Sequence, residues 1–485
     1  MNREDLYNGV TEVRDDLVEA AAPGKRRRPL WIPLAAAAAA IAVAVTALWP
    51  GGGGGKASPY LLAAAAYPEQ APLPIAENYY HPNGDFDHER YSAASDAYWQ
   101  DQEYRMDSLE GCQGQLNGFF SRAMAPLLSG GGEENRICSP VSFYLALSML
   151  AETTGGNSRE QILDLLDIGD MEALRDMAVR VFHGIYQDDG VTAVIPANSL
   201  WMNRDIPFVQ PTVDILARDY CASSFRGEMG SAAFDQALRD WINRQTGGLL
   251  QEQSAGLSMP PETVLALANT LYFRDTWVNQ FPVENTAPDL FHAPGGDVTA
   301  DFMHDTVNTY VWGDHFSAVP KGFSGMGTMW FFLPEEGASP EDLLGDPQVM
   351  DVLLSGVDEE REGENWKIST VNLSLPKFDA ASDMDLREKL AALGVTGVLD
   401  PGISDFSPLT EDISGIYLSQ AQHTARVTVD EEGCEAAAFT VMADAGMGGP
   451  MDDEEIDFTL DRPFLFAVSS SAGHLPLFVG IVNQP

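Results

Sequence analysis

Val429-Asp430-Glu431-Glu432-Gly433-Cys434-Glu435-Ala436-Ala437-Ala438-Phe439-Thr440 changes character midway. A β-type run ends in acidic residues and one glycine, gives way to small side chains, and passes through Met447-Gly448-Gly449-Pro450 before Asp452-Asp453-Glu454-Glu455. Taken alone, such an Ala- and Gly-rich stretch is an exposed loop between two strands. Whether it is more than that depends on what surrounds it.

From Glu110 to Pro485 helical and strand patterns alternate densely. Gln113 to Leu128 reads as an amphipathic helix, with Leu116, Phe119, Phe120, Ala123 and Leu127 at helical spacing. Ser142 to Leu150 is a second, apolar helix behind Ser139-Pro140, and Ser158 is a candidate cap for a third. Strands are signalled at Val194 to Met202, Thr263 to Phe273, Met329 to Leu333, Val371 to Leu375, Tyr417 to Val429 and Pro463 to Val482. The expectation is an α+β domain with large sheets.

The 485 residues carry 72 acidic and 28 basic groups, a formal charge of −44. Nucleic acid is excluded as a partner, because its binding rests on clustered Lys and Arg. Cys112, Cys138, Cys221 and Cys434 lack the close spacing of a zinc knuckle or a disulfide scaffold. Enzyme signatures are missing too. Gly322-Phe323-Ser324-Gly325-Met326 lacks the last glycine of a nucleophile elbow, and no phosphate-cradling glycine loop follows a strand. His423 has no nucleophile at a recognisable spacing, so it reads as a structural hydrogen-bonding group.

Residues 1–28 balance basic against acidic groups, so the negative charge belongs to the rest of the chain. Lys25-Arg26-Arg27-Arg28 precedes 21 uncharged residues, Pro29 to Trp49. At ~1.5 Å per residue these span roughly 30 Å, the reading of a transmembrane helix with a cytoplasmic leader at 1–28. The expected location is therefore the cell membrane, single-pass, with the C-terminal domain extracellular. A cleaved signal peptide and a secreted domain form the alternative. Five glycines, Gly51 to Gly55, open a flexible linker expected over 50–109. His81, Asp85, Asp87 and His88 within it show no recognised metal-binding spacing and read as part of a solvated spacer.

The block from Glu110 to Pro485 resembles a serpin, and it does so through several ordered motifs. Asn135-Arg136-Ile137-Cys138-Ser139-Pro140-Val141-Ser142 is similar to the family's first signature segment, and Asn269-Thr270-Leu271-Tyr272-Phe273 with Trp277 and Phe281 to a strand of its large sheet. Phe332-Leu333-Pro334, Pro376-Lys377-Phe378, Asp405-Phe406-Ser407, Arg462-Pro463-Phe464 and Phe478-Val479-Gly480 follow in the family's order. Leu249, Arg239, Thr424 and Ile481 depart from its usual residues. The resemblance implies the serpin fold, three β-sheets with about eight to nine helices and an exposed reactive-centre loop, in a domain spanning 110–485.

It also implies a function: suicide inhibition of a serine protease, with a cysteine protease as the alternative target. The cleaved loop would insert into the large sheet and carry the acyl-enzyme with it. Steps of two from Cys434 give Cys434, Ala436, Ala438, Thr440 and Met442, all small or apolar, while Glu435 and Phe439 lie on the other face. The hinge is assigned to Glu431, Glu432, Gly433, Cys434, Glu435, Ala436, Ala437 and Ala438. Counting along the loop from Glu431 places the scissile bond at Met447-Gly448, which suits elastase-, chymotrypsin- or subtilisin-like pockets.

Ser139, Ser142, Asn269 and His423 resemble the family's polar cluster under the point where strands part, and Trp277 the loop's upper point of insertion. No cofactor is implied, no heparin activation is expected of the short acidic segment Leu163 to Asp189, and a monomer is expected. A non-inhibitory serpin acting as a carrier is the other reading. Conversion of Met447 to its sulfoxide is expected to abolish inhibition; residual activity against elastase after peroxide treatment checks this, and unchanged inhibition counts against Met447.

Overall fold

Gln422–Val429 alternates half-buried and buried side chains residue by residue, turning His423, Ala425, Val427 and Val429 inward. That period of two makes it a strand with one face in the core. It pairs antiparallel with Phe378–Asp385, from Phe378 opposite Val429 to Asp385 opposite Gln422. The strands form part of an eight-stranded sheet, ordered Leu61–Ala63, Ala222–Gly227, Ala193–Asn203, Leu265–Thr276, Gly433–Cys434, Gln422–Val429 and Phe378–Asp385, with Gln187–Asp188 beside Ala193–Asn203. Its longest pairing joins Ala193–Asn203 to Leu265–Thr276, antiparallel from Ala193 opposite Arg274 to Met202 opposite Leu265.

This computed structural model describes residues 58–130, 132–325, 327–357, 364–410, 415–434 and 455–485. Residues 56–485 make one compact unit. Eleven α-helices are present among the described residues, two of them single turns at Gln251–Ser254 and Pro340–Leu343.

The α+β serpin fold is as expected, and the second sheet reaches nine strands because two of the expected sheets run together. The cause is one 17-residue strand, Gly296–Trp312. Up to Phe302 it pairs with Ala287–Ala293, from Phe302 to Val311 with Trp366–Pro376, and at Val311 and Trp312 with Phe316–Gly322. A strand shared in this way joins what would otherwise be two sheets. The expected run Pro463 to Val482 is two strands, Phe464–Ser469 and Pro476–Val482, paired antiparallel.

The helix expected at Gln113 to Leu128 has those bounds. Pro140–Thr153 contains the expected second helix, with Pro140 in its first turn and the Ser139 hydroxyl accepting from Ser142 N–H at 3.2 Å. Ser158 is not a cap. The helix begins at Gly156, and the fully buried Ser158 hydroxyl accepts from Asp405 N–H at 3.3 Å instead.

Two expectations for the N-terminal region need correction. Residues 58–109 are not an irregular linker: Leu61–Ala63 adds an edge strand to the eight-stranded sheet, and His88–Ser108 is a 21-residue helix with Asp87 capping it by accepting from Arg90 N–H at 3.0 Å. The single-pass membrane location is also corrected. No helix among the described residues is long and apolar enough to cross a membrane. His88–Ser108 has the length but carries Glu89, Arg90, Asp96, Asp101, Glu103, Arg105 and Asp107. Residues 1–28 and 29–49 lie outside the described residues. No group of three or more metal-ligating side chains occurs among the described residues.

Beneath the first sheet, Trp201 stacks on Phe225 with ring centres 4.2 Å apart and packs against Phe234 at 5.2 Å. Trp201 has no exposed surface. Trp201→Ala is expected to cost about 3–5 kcal/mol through lost burial and the cavity left behind; the urea unfolding midpoint measures it.

Candidate functional site

Gly433–Cys434 is a two-residue strand wedged between two long ones. Gly433 stands opposite Thr276 and Cys434 opposite Asp275 on one side, and Cys434 opposite Val429 on the other. Gly433 is needed here for a steric reason, since a Cβ at this position would lie 2.2 Å from the Asp275 carbonyl oxygen. Cys434 is only 2% exposed, in keeping with an inward-facing position.

The turn before it is held by backbone and side chains together. Trp277 Nε1–H donates to the Asp430 carbonyl at 2.9 Å, Trp277 N–H to the Glu432 carbonyl at 3.0 Å, and Phe281 N–H to the Glu431 carbonyl at 3.1 Å. The Trp277 ring stacks on Phe323 at 4.5 Å. Glu431 accepts from the Thr286 hydroxyl at 2.9 Å and pairs with Lys377 at 2.7 Å. Burial opposes its ionisation, but Lys377 and Thr286 outweigh that and hold the carboxyl below its ordinary range.

Below Cys434, Leu265–Thr276 and Gln422–Val429 are joined by no further ladder among the described residues. A cleft lined by Ala266, Leu267, Asn269, Thr270, Gln422 and Thr424 lies there. The Thr270 hydroxyl and the Gln420 side-chain carbonyl also border it, both buried and both without a hydrogen-bond partner. Unsatisfied buried groups of this kind carry a desolvation cost that a further polar strand can relieve.

A chain of hydrogen bonds crosses the sheet at this level. His423 Nε2 accepts from Ser139 N–H at 2.9 Å, Ser139 Oγ from Ser142 N–H, and the Ser142 hydroxyl donates to Asn269 Oδ1. Asn269 Nδ2–H donates to Asn198 Oδ1 at 2.5 Å, and Asn198 to the Tyr220 carbonyl at 2.7 Å. His423 is wholly enclosed, and burial pushes its pKa down to about 4. With Nε2 accepting, the neutral imidazole carries its proton on Nδ1.

Asp275 is a second buried titratable group, set directly opposite Cys434. Burial pushes it up to about 7, against bonds from Thr276 N–H at 2.8 Å and Gly325 N–H at 3.0 Å and from the Thr192 hydroxyl; the charge of Asp189 adds to the rise. A side chain at Gly325 would meet the Asp275 carboxylate at 2.5 Å, so glycine lets the loop backbone reach it.

The structure therefore brings Ser139, Ser142, Asn269 and His423 into one hydrogen-bonded chain, and Trp277 and Glu431 to the top of the same cleft. Met447 and Gly448, together with Glu435, Ala436, Ala437 and Ala438, lie outside the described residues. Sequence reasoning missed Asp275, Asn198 and Lys377. Gly325 is the available signal for Asp275, although in the sequence it reads only as part of a failed nucleophile elbow.

The profile of the family described as Serpin (serine protease inhibitor) matches residues 115–485, and the chain belongs to that family. Among its relatives, "Serpin-ZX" of Arabidopsis thaliana is 28% identical over 72% of this chain and 92% of its own length. "Plasminogen activator inhibitor 1" of Sus scrofa is 28% identical over 76% of this chain and 91% of its own. Among solved structures, the thermophilic serpin tengpin in its native state superposes with a TM-score of 0.67 at 25% identity, covering 78% of this chain and 95% of its own. Serpins are in general protease inhibitors and not enzymes.

His423 and Asp275 tilt stability against pH in opposite senses. Between pH 6.5 and about 4 the unfolded chain binds a proton at His423 that the native state refuses, so this group stabilises above pH 6.5 and loses that contribution as pH falls. At Asp275 the native state holds a proton that the unfolded chain releases between pH 3.8 and about 7, so its contribution is present at low pH and lost as pH rises. Over the shared window the two slopes, each about 1.4 kcal/mol per pH unit, offset one another. His423→Gln is expected to unmask stability that falls with rising pH, and Asp275→Asn stability that rises. Urea unfolding of each variant across pH 4 to 6.5 measures both slopes.

Proposed function

We propose that this serpin inhibits serine proteases of elastase, chymotrypsin or subtilisin type by inserting its cleaved reactive loop into the eight-stranded sheet. The observation that carries the reading is the seating of Gly433–Cys434 between Leu265–Thr276 and Gln422–Val429, with a cleft continuing below. Counting onward from Gly433 opposite Thr276 and Cys434 opposite Val429, an inserting strand would set Ala436 opposite Phe273, and Thr440 opposite Asn269 on one side and His423 on the other. Its hydroxyl would arrive at the level of the polar chain, and Ala436, Ala438 and Met442 would share its inward face. Residues Cys434 to Met447, at ~3.3 Å each, would move the captured protease by roughly 45 Å. The carrier alternative needs a hinge that resists insertion, and small inward side chains do the opposite.

Incubation with elastase and with subtilisin, followed by denaturing gels, is expected to give an SDS-resistant complex, with a released C-terminal fragment whose mass begins at Gly448. Clean cleavage without complex would leave only a substrate or carrier role. Ala436→Glu puts a carboxylate on the inserting face, where burial costs several kcal/mol. It is expected to convert the protein into a substrate, with the complex-to-cleavage ratio down by about tenfold or more.

A further inference from the structure

The helix His88–Ser108 buries an unusual stripe. Ser95, Tyr98, Gln102 and Arg105 recur at helical spacing, each less than a tenth exposed, and none is aliphatic. Arg105 is 3% exposed; it donates to Gln102 Oε1 at 2.6 Å and to Ser471 Oγ at 3.4 Å, and its Nε has no partner. A buried guanidinium is costly unless a negative charge faces it.

That charge is Asp189, whose field acts on Arg105 and on Tyr98. The Tyr98 hydroxyl donates to Asp189 Oδ2 at 3.4 Å, and Asp189 also accepts from Gln187 Nε2–H at 2.8 Å, Val191 N–H at 3.0 Å and Thr192 N–H at 2.8 Å. Thr192 then bonds through its hydroxyl to Asp275, the register partner of Cys434. An unbroken run of buried polar contacts thus leads from the N-terminal helix to the top of the strand beside which the hinge is seated.

The rest of the segment grips the same sheet. Leu73 N–H donates to the Asp189 carbonyl at 3.0 Å, and Gln70 bonds both to Tyr186 and to Asp188, each at 2.8 Å. Toward the lower end of the sheet, Leu61–Ala63 pairs with Ala222–Gly227 at its edge, and the Tyr60 ring meets Phe234 edge-on at 5.0 Å.

We propose that residues 58–108 form a brace that sets how readily the upper end of the central strand Leu265–Thr276 separates from its neighbours, acting on Asp189 through the Tyr98 hydroxyl, which Arg105 on the same buried stripe helps to position. Undocking the helix would strip the Tyr98 hydroxyl and the Arg105 charge from Asp189, so the cost falls at the upper end of the strand beside Cys434. The consequence of the brace for inhibition rests on the loop-insertion reading, whereas its effect on the sheet does not.

Amide hydrogen exchange on the full chain tests the proposal. Arg105→Met is expected to speed exchange over residues 189–194 and 271–276 by about tenfold, while Phe464–Ser469 and Pro476–Val482 stay unchanged. Arg105→Lys, which keeps the charge, is expected to remain within about threefold of the parent, and Asp189→Asn added to Arg105→Met to restore slow exchange at 271–276. Should Arg105→Met fail to fold, Tyr98→Phe carries the test, with about threefold faster exchange over the same residues. Acceleration confined to residues 88–108, or spread uniformly through 464–482, overturns the brace. The expected exchange pattern in a protein that forms no SDS-resistant complex upholds the brace and removes only the inhibitory reading.

Discussion

Everything at this site depends on how closely two backbones approach at Gly433. The Asp275 carbonyl lies where a side chain would begin, so glycine alone lets Gly433–Cys434 slide in as a strand between Leu265–Thr276 and Gln422–Val429. Once there, the segment satisfies backbone groups on both flanking strands, and the groups clamping it are correspondingly few: the Trp277 indole on the Asp430 carbonyl, two backbone bonds, and the Lys377 and Thr286 contacts to Glu431. A polar clamp of this kind can be released at lower cost than a packed apolar one, since water replaces most of what is lost.

The same logic explains why the level beneath is polar. Cores are ordinarily apolar because a buried polar group must find a partner. Here Ser139, Ser142, Asn269, Asn198 and His423 find one another, yet Thr270 and Gln420 at the cleft do not. A seam of hydrogen bonds fixes register and can be remade around an incoming hydroxyl. Apolar side chains at those positions would close the cleft by packing into it, leaving no groups for another strand to satisfy.

Much of this was legible in the sequence, and the part that was not has a physical cause. Helix Gln113–Leu128 and the strand Gln422–Val429 announce themselves because one face of each is apolar and the period of that face is the signal. The proposed hinge rests on glycine followed by small residues, and the hydrogen-bonded chain of Ser139, Ser142, Asn269 and His423 was reached through family motifs. His88–Ser108 was not, because its buried stripe is Ser95, Tyr98, Gln102 and Arg105, and a polar stripe leaves no hydrophobic period to detect. The joining of two sheets into one was equally hidden, since it rests on the pairing of a single 17-residue strand with partners on either side. Asp275 reads in the sequence as an ordinary acid at a strand end, and only Gly325, fifty residues further on, shows that it is enclosed.

Charge has two separate roles in this molecule. Among the described residues most acidic side chains lie at the surface, where solvent and salt screen them, so they shape encounters and solubility more than they shape the fold. Asp189 and Asp275 are different in kind, being enclosed and close to each other at the upper end of Leu265–Thr276. Two enclosed carboxylates weaken that place unless something offsets them. Asp189 is offset by the Arg105 charge and the Tyr98 hydroxyl, from a helix outside the family match, and Asp275 by its own raised proton affinity. If the proposed insertion parts the sheet at this end, its weakness must lie there and be held in check, and buried like charges balanced by a separate segment supply both.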